Sequence, residues 1–463
     1  MPPAVSFLDL GVPATLARVL ADREITVPTP IQAATLADSI SGRDVLGRGR
    51  TGSGKTYAFL LPLITRLTST SAASTQSRRP RALILAPTRE LVGQIKAALD
   101  PLAATAGLTS VTVFGGVSPQ SQIRALRSGV DVVIACPGRL EDLIKQGACR
   151  LDRIDVTVLD EADHMADLGF LPSVTRLLAQ TPPASQRLLF SATLDAGVDG
   201  LVKRFLRRPA THEADSAQIP VTAMAHHVLH LLADQRIPVL ADLTSAPGRT
   251  LVFTRTKHRA KSLARQLNAR GIRAVELHGN LNQNARDRNL EAFHSGRVAT
   301  LVATDIAARG IHVDDLQLVV HADPPVEHKA YVHRSGRTAR AGKAGTVVTL
   351  ATQDQLRDVR ALTKAAGVQP TTTTLGSTSD AILRQLAPGD RMLTATPSEI
   401  PAEDRPRHDA GSRSRRPARR RTERTADRPK RSADRPTSPG KGRPSPAGGR
   451  HNAALFSARA RAR

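Results

Sequence analysis

Along most of the chain, short unbroken apolar runs alternate with segments of helical periodicity. The runs are Asp44-Val45-Leu46, Ala82-Leu83-Ile84-Leu85, Val111-Thr112-Val113, residues 130–135, residues 156–159 and Leu188-Leu189-Phe190. A strand with one wet face alternates apolar and polar residues. These runs do not, so they predict strands buried on both faces of a parallel sheet covered by helices. Residues 5–22 carry apolar positions at helical spacing (Val5, Leu8, Leu16, Val19, Leu20). Next, Val27-Pro28-Thr29-Pro30-Ile31-Gln32 reads as a proline-stiffened turn before a helix beginning near Ile31. A further helix opens at Tyr57 and reaches about Leu67, and the Ser/Thr/Ala-rich residues 68–79 predict a surface loop.

The second half repeats the first. RALILAPTR (residues 81–89) resembles RTLVFTR (249–255), and Val113-Phe114-Gly115-Gly116 resembles Glu276-Leu277-His278-Gly279. VVIACPGR (132–139) then matches LVATDIAAR (301–309), and VTVLDEAD (156–163) matches QLVVHAD (317–323). Four matches in one order at a near-constant offset point to a duplicated unit. Two α/β domains are expected, residues 1–210 and 219–366, joined by a polar linker at 211–218. Beyond residue 367 apolar periodicity fades. Residues 404–463 hold 19 Lys+Arg against 5 Asp+Glu among Pro and Ser, so residues 367–463 read as a disordered basic tail.

Composition narrows the function classes. The chain of 463 residues carries 66 Lys+Arg and 41 Asp+Glu, a formal charge of +25, which favours a polyanionic partner. With no Trp, two Tyr and nine Phe, base stacking is not the main mode of recognition. Cys136 and Cys149 have neither CxxC spacing nor neighbouring histidines. They read as reduced thiols of a cytoplasmic protein without a zinc site. The first twenty residues lack the basic-then-apolar pattern of a signal peptide, and no apolar run approaches the roughly 18 residues of a membrane span.

The chemistry gathers at Gly49-Arg50-Thr51-Gly52-Ser53-Gly54-Lys55-Thr56, between a predicted strand and a predicted helix. Glycines at this spacing let successive N–H groups converge on one phosphate, and the helix adds its positive end. Lys55 is placed to reach the β- and γ-phosphates of a nucleotide, and the Thr56 hydroxyl to hold Mg²⁺. Asp160, at the end of an apolar run, can help hold the Mg²⁺, and Glu161 can orient or deprotonate the attacking water. Ser191-Ala192-Thr193 follows another strand end, near where nucleotide and partner domain should meet.

These residues together resemble a DEAD-box RNA helicase over about residues 5–365, which implies two RecA-like parallel-sheet domains in tandem. The resemblance makes Gln32 the adenine-reading glutamine and Phe7 an adenine-stacking aromatic, beside Gly52, Ser53, Gly54, Lys55 and Thr56 on the phosphates. It makes Pro87, Thr88, Arg89, Gly116, Gly138 and Arg139 RNA-backbone contacts of the first domain. Arg255, Gly279, Gln283, Arg286 and Thr304 become those of the second. Ser191 and Thr193 would couple hydrolysis to unwinding, and Arg337 and Arg340 would face the γ-phosphate as arginine fingers. Three positions depart from the family pattern: Glu24-Ile25 in place of Gly and an aromatic, Cys136 in place of Thr, and His312 in place of a ribose-binding Asp.

The phosphate loop and carboxylates lie on one domain and the arginines on the other, so domain closure would complete the site. RNA bound across both domains would favour closure and stimulate hydrolysis. An ATP-gated RNA clamp or annealing chaperone, and a DNA helicase, remain open alternatives. The core is expected to be monomeric, with a tail that binds RNA non-specifically.

Overall fold

A computed structural model describes residues 5–49, 52–69, 79–213, 224–308, 316–339 and 344–394. The first sheet contains β1 (Val45–Arg48), β2 (Ala82–Leu85), β3 (Ser110–Val113), β4 (Val132–Ala135), β5 (Val156–Leu159), β6 (Gln186–Ser191) and β7 (Ala210–Glu213). The second contains β8 (Met224–His230), β9 (Arg249–Thr254), β10 (Ala274–Leu277), β11 (Thr300–Thr304), β12 (Leu316–His321), β13 (Gly345–Ala351) and β14 (Thr371–Thr374). Every pairing is parallel. The strand orders are β3-β4-β2-β5-β6-β1-β7 and β10-β11-β9-β12-β13-β8-β14. Adding seven to each label of the first sheet yields the second. The four sequence matches fall on β2/β9, β3/β10, β4/β11 and β5/β12, so the repeat is a repeat of topology.

Continuous apolar strands are needed because each sheet is covered on both faces. Ala82 and Ile84 of β2 enter one core with Ile31, Phe59 and Ile95, while Leu83 and Leu85 enter the other with Ile123, Leu140 and Leu177. The second lobe divides likewise: Val252 of β9 meets Leu240 and Leu263, and Leu251 and Phe253 meet Leu290 and Phe293.

Two expected boundaries move. The first domain continues past residue 210, because β7 pairs with β1, and His212 holds Asp38 through Nε2 at 2.7 Å. Of the expected linker 211–218, residues 214–218 lie outside the described residues. The tail likewise starts later than residue 367. Thr371–Thr374 adds an edge strand to β8, and the helix Ala381–Leu386 buries Leu383 and Leu386 in the second lobe's core. Met392 and Thr394 donate backbone hydrogen bonds to Ser245 and Gly271. Residues 395–463 lie outside the described residues.

Candidate functional site

In parallel sheets, ligands gather where the strands end, because the turn into each following helix exposes backbone N–H groups there. The sequence-predicted site residues follow this rule. β1 leads to Gly49, β2 to Pro87-Thr88-Arg89, β3 to Gly115-Gly116, β4 to Gly138-Arg139, β5 to Asp160-Glu161, and β6 to Ser191-Ala192-Thr193. In the second lobe β9 leads to Arg255, β10 to His278-Gly279, and β11 ends on Thr304.

The phosphate loop is shaped by glycine where no other residue fits. Gly52 and Gly54 have φ of 87° and 92°, and a Cβ on Gly54 would lie 2.5 Å from Thr29 Oγ1 and 2.7 Å from Gln32 Nε2. Gln32 is buried; its Oε1 accepts the Thr29 N–H at 2.9 Å, and its Nε2 donates to the Gly54 carbonyl at 2.8 Å. The glutamine thus ties the turn 28–32 to the loop and keeps one amide hydrogen free of these two contacts. Lys55 opens the helix Lys55–Ser69 and donates from Nζ to the Gly49 carbonyl at 2.8 Å. Ser53 Oγ is buried without a hydrogen-bond partner, an acceptor-donor suited to a phosphate oxygen. Phe7 is 4% exposed and lies in the first lobe's core cluster with Val12 and Leu16.

Asp160 and Glu161 sit together and are held differently. Burial, opposed by Lys55, pushes Asp160 up to about 7. Asp160, with the Thr56 hydroxyl of the helix Lys55–Ser69, offers oxygen donors of the type Mg²⁺ takes. Glu161 also suffers desolvation, but the hydrogen bond from His164, with the charges of His164, Lys55 and Arg337, brings it down to about 2. His164 Nδ1 lies 3.1 Å from Glu161 Oε2. Glu161 has a left-handed backbone, φ 50°, at the N-cap of the helix Ala162–Asp167. Side chains at i and i+3 share a helix face, which is how His164 reaches it. Among the described residues no group of three or more His, Cys, Asp or Glu is arranged to hold a metal.

Asp163 connects this cluster to β6. Its Oδ2 accepts the Thr193 N–H at 2.9 Å and the Thr193 hydroxyl at 3.0 Å, its own N–H donates to Ser191 Oγ at 3.2 Å, and Ser191 Oγ donates to the Thr193 carbonyl at 2.7 Å. These bonds tie Ser191 and Thr193 to the segment that carries Asp160 and Glu161. In the sequence, Asp163, three residues after Asp160, carried no role of its own, and neither did His164.

Arg89, Gln283 and Arg286, which the sequence assigned to RNA, lie where the second lobe meets the first, and further ion pairs order the second lobe itself. Arg89 donates to Gln283 Oε1 at 2.8 Å, and Arg286 binds Glu90 at 2.6 Å, both members of that pair being under 10% exposed. Lys329 reaches Asp195 at 3.3 Å. Arg334 grips Asp305 through two bonds of 2.5 and 2.7 Å, and Arg255 and Arg259 share Asp323. Arg337 is buried, and its charge acts on Glu161. Arg139 donates to the Val117 carbonyl, while Gly138 and Gly279 have open space around them. Gly116, φ 79°, lies against the Arg89 guanidinium. Cys136 caps the helix Pro137–Lys145 without a side-chain bond, and burial pushes its thiol up to about 12. Arg340 and His312 lie outside the described residues.

Residues 29–201 match the DEAD/DEAH box helicase family, and residues 233–342 match the helicase conserved C-terminal domain. The chain is 37% identical over 368 residues to the DEAD-box ATP-dependent RNA helicase 9, mitochondrial, of Arabidopsis thaliana, covering 78% of this chain and 60% of that protein. It is 36% identical over 367 residues to the ATP-dependent RNA helicase RhlB of Pseudomonas syringae pv. tomato, covering 78% of this chain and 92% of that one. The solved structure of S. cerevisiae Dbp5 bound to RNA and ADP BeF3 aligns with a TM-score of 0.72 at 27% identity, covering 82% of this chain and 99% of the other. The chain spans about half to three-fifths of the length of the plant relatives it matches. With the phosphate loop, the carboxylate pair and the second-lobe arginines in place on a duplicated parallel sheet, this chain belongs to the DEAD-box ATP-dependent RNA helicase family.

Proposed function

We propose that this chain hydrolyses ATP when RNA bridges its two lobes, and that lobe closure opens short RNA duplexes or remodels RNA–protein complexes. The observation that carries this reading is the interlobe pairing of Glu90 with Arg286 and Arg89 with Gln283. It brings Arg337 close enough to act on Glu161, so the two halves of a phosphate-transfer site meet on one chain. That a single chain carries both halves supports a monomeric core. Support for the ligands comes from Dbp5, whose structure holds RNA and ADP BeF3 on the same fold.

Each residue then has a defined task. Lys55, Ser53 and the turn at Gly52 and Gly54 bind the phosphates of ATP, and Gln32 contacts the adenine. Asp160 and Thr56 would hold Mg²⁺, which supplies positive charge against the phosphates when bound. Glu161, kept ionised by His164, orients a water and accepts its proton as the water oxygen attacks the γ-phosphorus. The bond from that phosphorus to the bridging oxygen breaks, and ADP leaves with the electron pair. Arg337 and Arg340 stabilise the charge that develops, an effect worth about 10³–10⁵ in rate in related chemistry. Ser191, Thr193 and Asp163 relay the carboxylates' position toward the interface. Pro87, Thr88, Arg89, Gly116, Gly138 and Arg139, with Arg255, Gly279, Gln283, Arg286 and Thr304, track the RNA backbone, and 2′-OH contacts distinguish it from DNA.

Glu161→Gln tests the assignment. ATP and RNA binding should persist while RNA-stimulated hydrolysis falls by about 10²–10⁴; full turnover would overturn it. Loss of a short labelled RNA duplex under ATP separates a helicase from a clamp or annealer, which holds the duplex intact. Equal stimulation by DNA and RNA would point to a DNA helicase.

The basic segment 404–463 is proposed to tether RNA non-specifically. If it neutralises about five phosphates, the salt slope of log K steepens by roughly 3.5. Truncation near Pro401 should raise the RNA concentration for half-maximal ATPase and flatten its salt dependence, leaving kcat at saturating RNA nearly intact. Equal slopes for the two chains would remove the tether. The two free cysteines support a reducing, cytoplasmic compartment.

A further inference from the structure

The ion pair between Lys329 and Asp195 is not part of the phosphate chemistry or of the RNA track, yet it joins elements that carry both. Asp195 lies two residues beyond Thr193 and is the N-cap of the helix Ala196–Phe205. Its Oδ1 accepts the Gly197 and Val198 N–H groups at 3.1 Å each, which leaves Oδ2 for Lys329 Nζ at 3.3 Å. Lys329 is the second residue of the helix His328–Ser335. Arg334, which grips Asp305, lies on that same helix, and Arg337 follows its end. The side chains of Lys329 and Asp195 are 36% and 24% exposed, so solvent screens the pair without dissolving it. The Asp195 carboxyl remains below its ordinary value although burial raises it, because the Val198 N–H and Lys329 both favour the anion.

The interlobe pairs Arg89–Gln283 and Glu90–Arg286 involve Arg89, Gln283 and Arg286, which are assigned to RNA. Lys329–Asp195 instead joins the turn latched to the catalytic carboxylates with the helix leading to the arginines. An Asp that both caps one helix and binds the next lobe makes the position of that turn depend on closure.

We propose that Lys329 and Asp195 are positioning residues, forming a closure contact that sets how readily the arginine-bearing helix docks against the Ser191–Thr193 turn. The proposal rests on the reading of the chain as an RNA-stimulated ATPase. Because both partners act on closure and neither touches the reacting atoms, their loss should raise the demand for RNA without slowing the fully closed enzyme.

The test is a double-mutant cycle on the full chain with Lys329→Met and Asp195→Asn; Asn keeps an oxygen for the helix cap. ATPase is measured against RNA concentration, and interlobe distance by fluorescence transfer between labels on the two lobes. At low salt each single variant should raise the half-saturating RNA concentration about two- to fivefold, the range of a partly exposed pair, with kcat unchanged. The double variant should be no worse than either single, Lys329→Arg should behave as the parent, and the differences should shrink as salt is raised. The closed population at fixed RNA should fall in step. Additive effects of the two substitutions, or a drop in kcat with unchanged half-saturation, would overturn the proposal, as would an unaltered closed population in Lys329→Met. A parent chain with no RNA-stimulated hydrolysis would defeat the functional reading instead, while the fluorescence arm would still decide whether the contact favours closure.

Discussion

Four described non-glycine residues have left-handed backbones: Glu24, Glu161, Arg208 and Ala339, with φ of 61°, 50°, 41° and 55°. A side chain in this region crowds the following carbonyl, at a cost of about 1–2 kcal/mol. At Glu161 that cost falls where catalysis is assigned, and the strained turn aims the carboxylate between Asp160 and His164. At Glu24 no such return is visible. The residue is exposed, and its turn closes the helix Ala14–Ala21 with the Ile25 N–H on the Leu20 carbonyl. A glycine would adopt this backbone without that cost. Glu24→Gly should stabilise the first lobe by about 0.5–1 kcal/mol, some 1–4 °C in its melting midpoint. Glu24→Ala, which retains a Cβ, should gain little, and an equal gain in both would sink the explanation.

Between elements, the second lobe encloses a polar aromatic stack. His226 of β8 meets the Tyr331 hydroxyl at 3.0 Å, Tyr331 packs edge-on against His321 of β12 with centroids 5.0 Å apart, and His321 bonds the Thr349 hydroxyl of β13 at 3.0 Å. Burial, with His227 nearby, brings His226 down to about 4; burial and the Arg334 charge hold His321 well below its ordinary value. Unfolded histidines titrate near about 6.5. Below that pH the unfolded chain binds protons that these folded imidazoles refuse. Stability is therefore fully present above pH 6.5 and declines as pH falls toward 4, by at most about 1.4 kcal/mol per pH unit per histidine. The second lobe's urea midpoint should drop between pH 7 and pH 5. In His226→Asn, whose amide can still bond Tyr331, part of that drop should vanish; an unchanged slope would exclude His226.

At the scale of the whole molecule, the two lobes meet at a buried ion pair. Glu90 and Arg286 have side-chain exposures of 7% and 9%. Glu90→Gln would leave a desolvated guanidinium half-paired in the closed arrangement only, where removing one partner of such a pair costs about 3–5 kcal/mol. RNA-stimulated hydrolysis should fall a hundredfold or more, while the melting of each lobe stays put. Exchange of the two charges, Glu90→Arg with Arg286→Glu, should recover part of the loss. Normal hydrolysis in Glu90→Gln would mean the lobes close without this pair.

Much of this was legible in the chain because it is local. A phosphate loop needs its glycines within one turn, Asp160 and Glu161 are adjacent, and a strand buried on both faces must be continuously apolar. These constraints sit within a few residues of one another, and the duplication repeats them in order. The edge strands β7 and β14 were missed because an edge is wet: Ala210-Thr211-His212-Glu213 and the threonine run 371–374 have no apolar signature, and only pairing with β1 and β8 makes them strands. Phe7, which the resemblance places beside the adenine, sits in the first lobe's core cluster, a placement that only packing reveals. Glu90 with Arg286, and Asp195 with Lys329, stand far apart in sequence. No periodicity links them, so the partner of each charge was decided by the approach of two sheets folded separately.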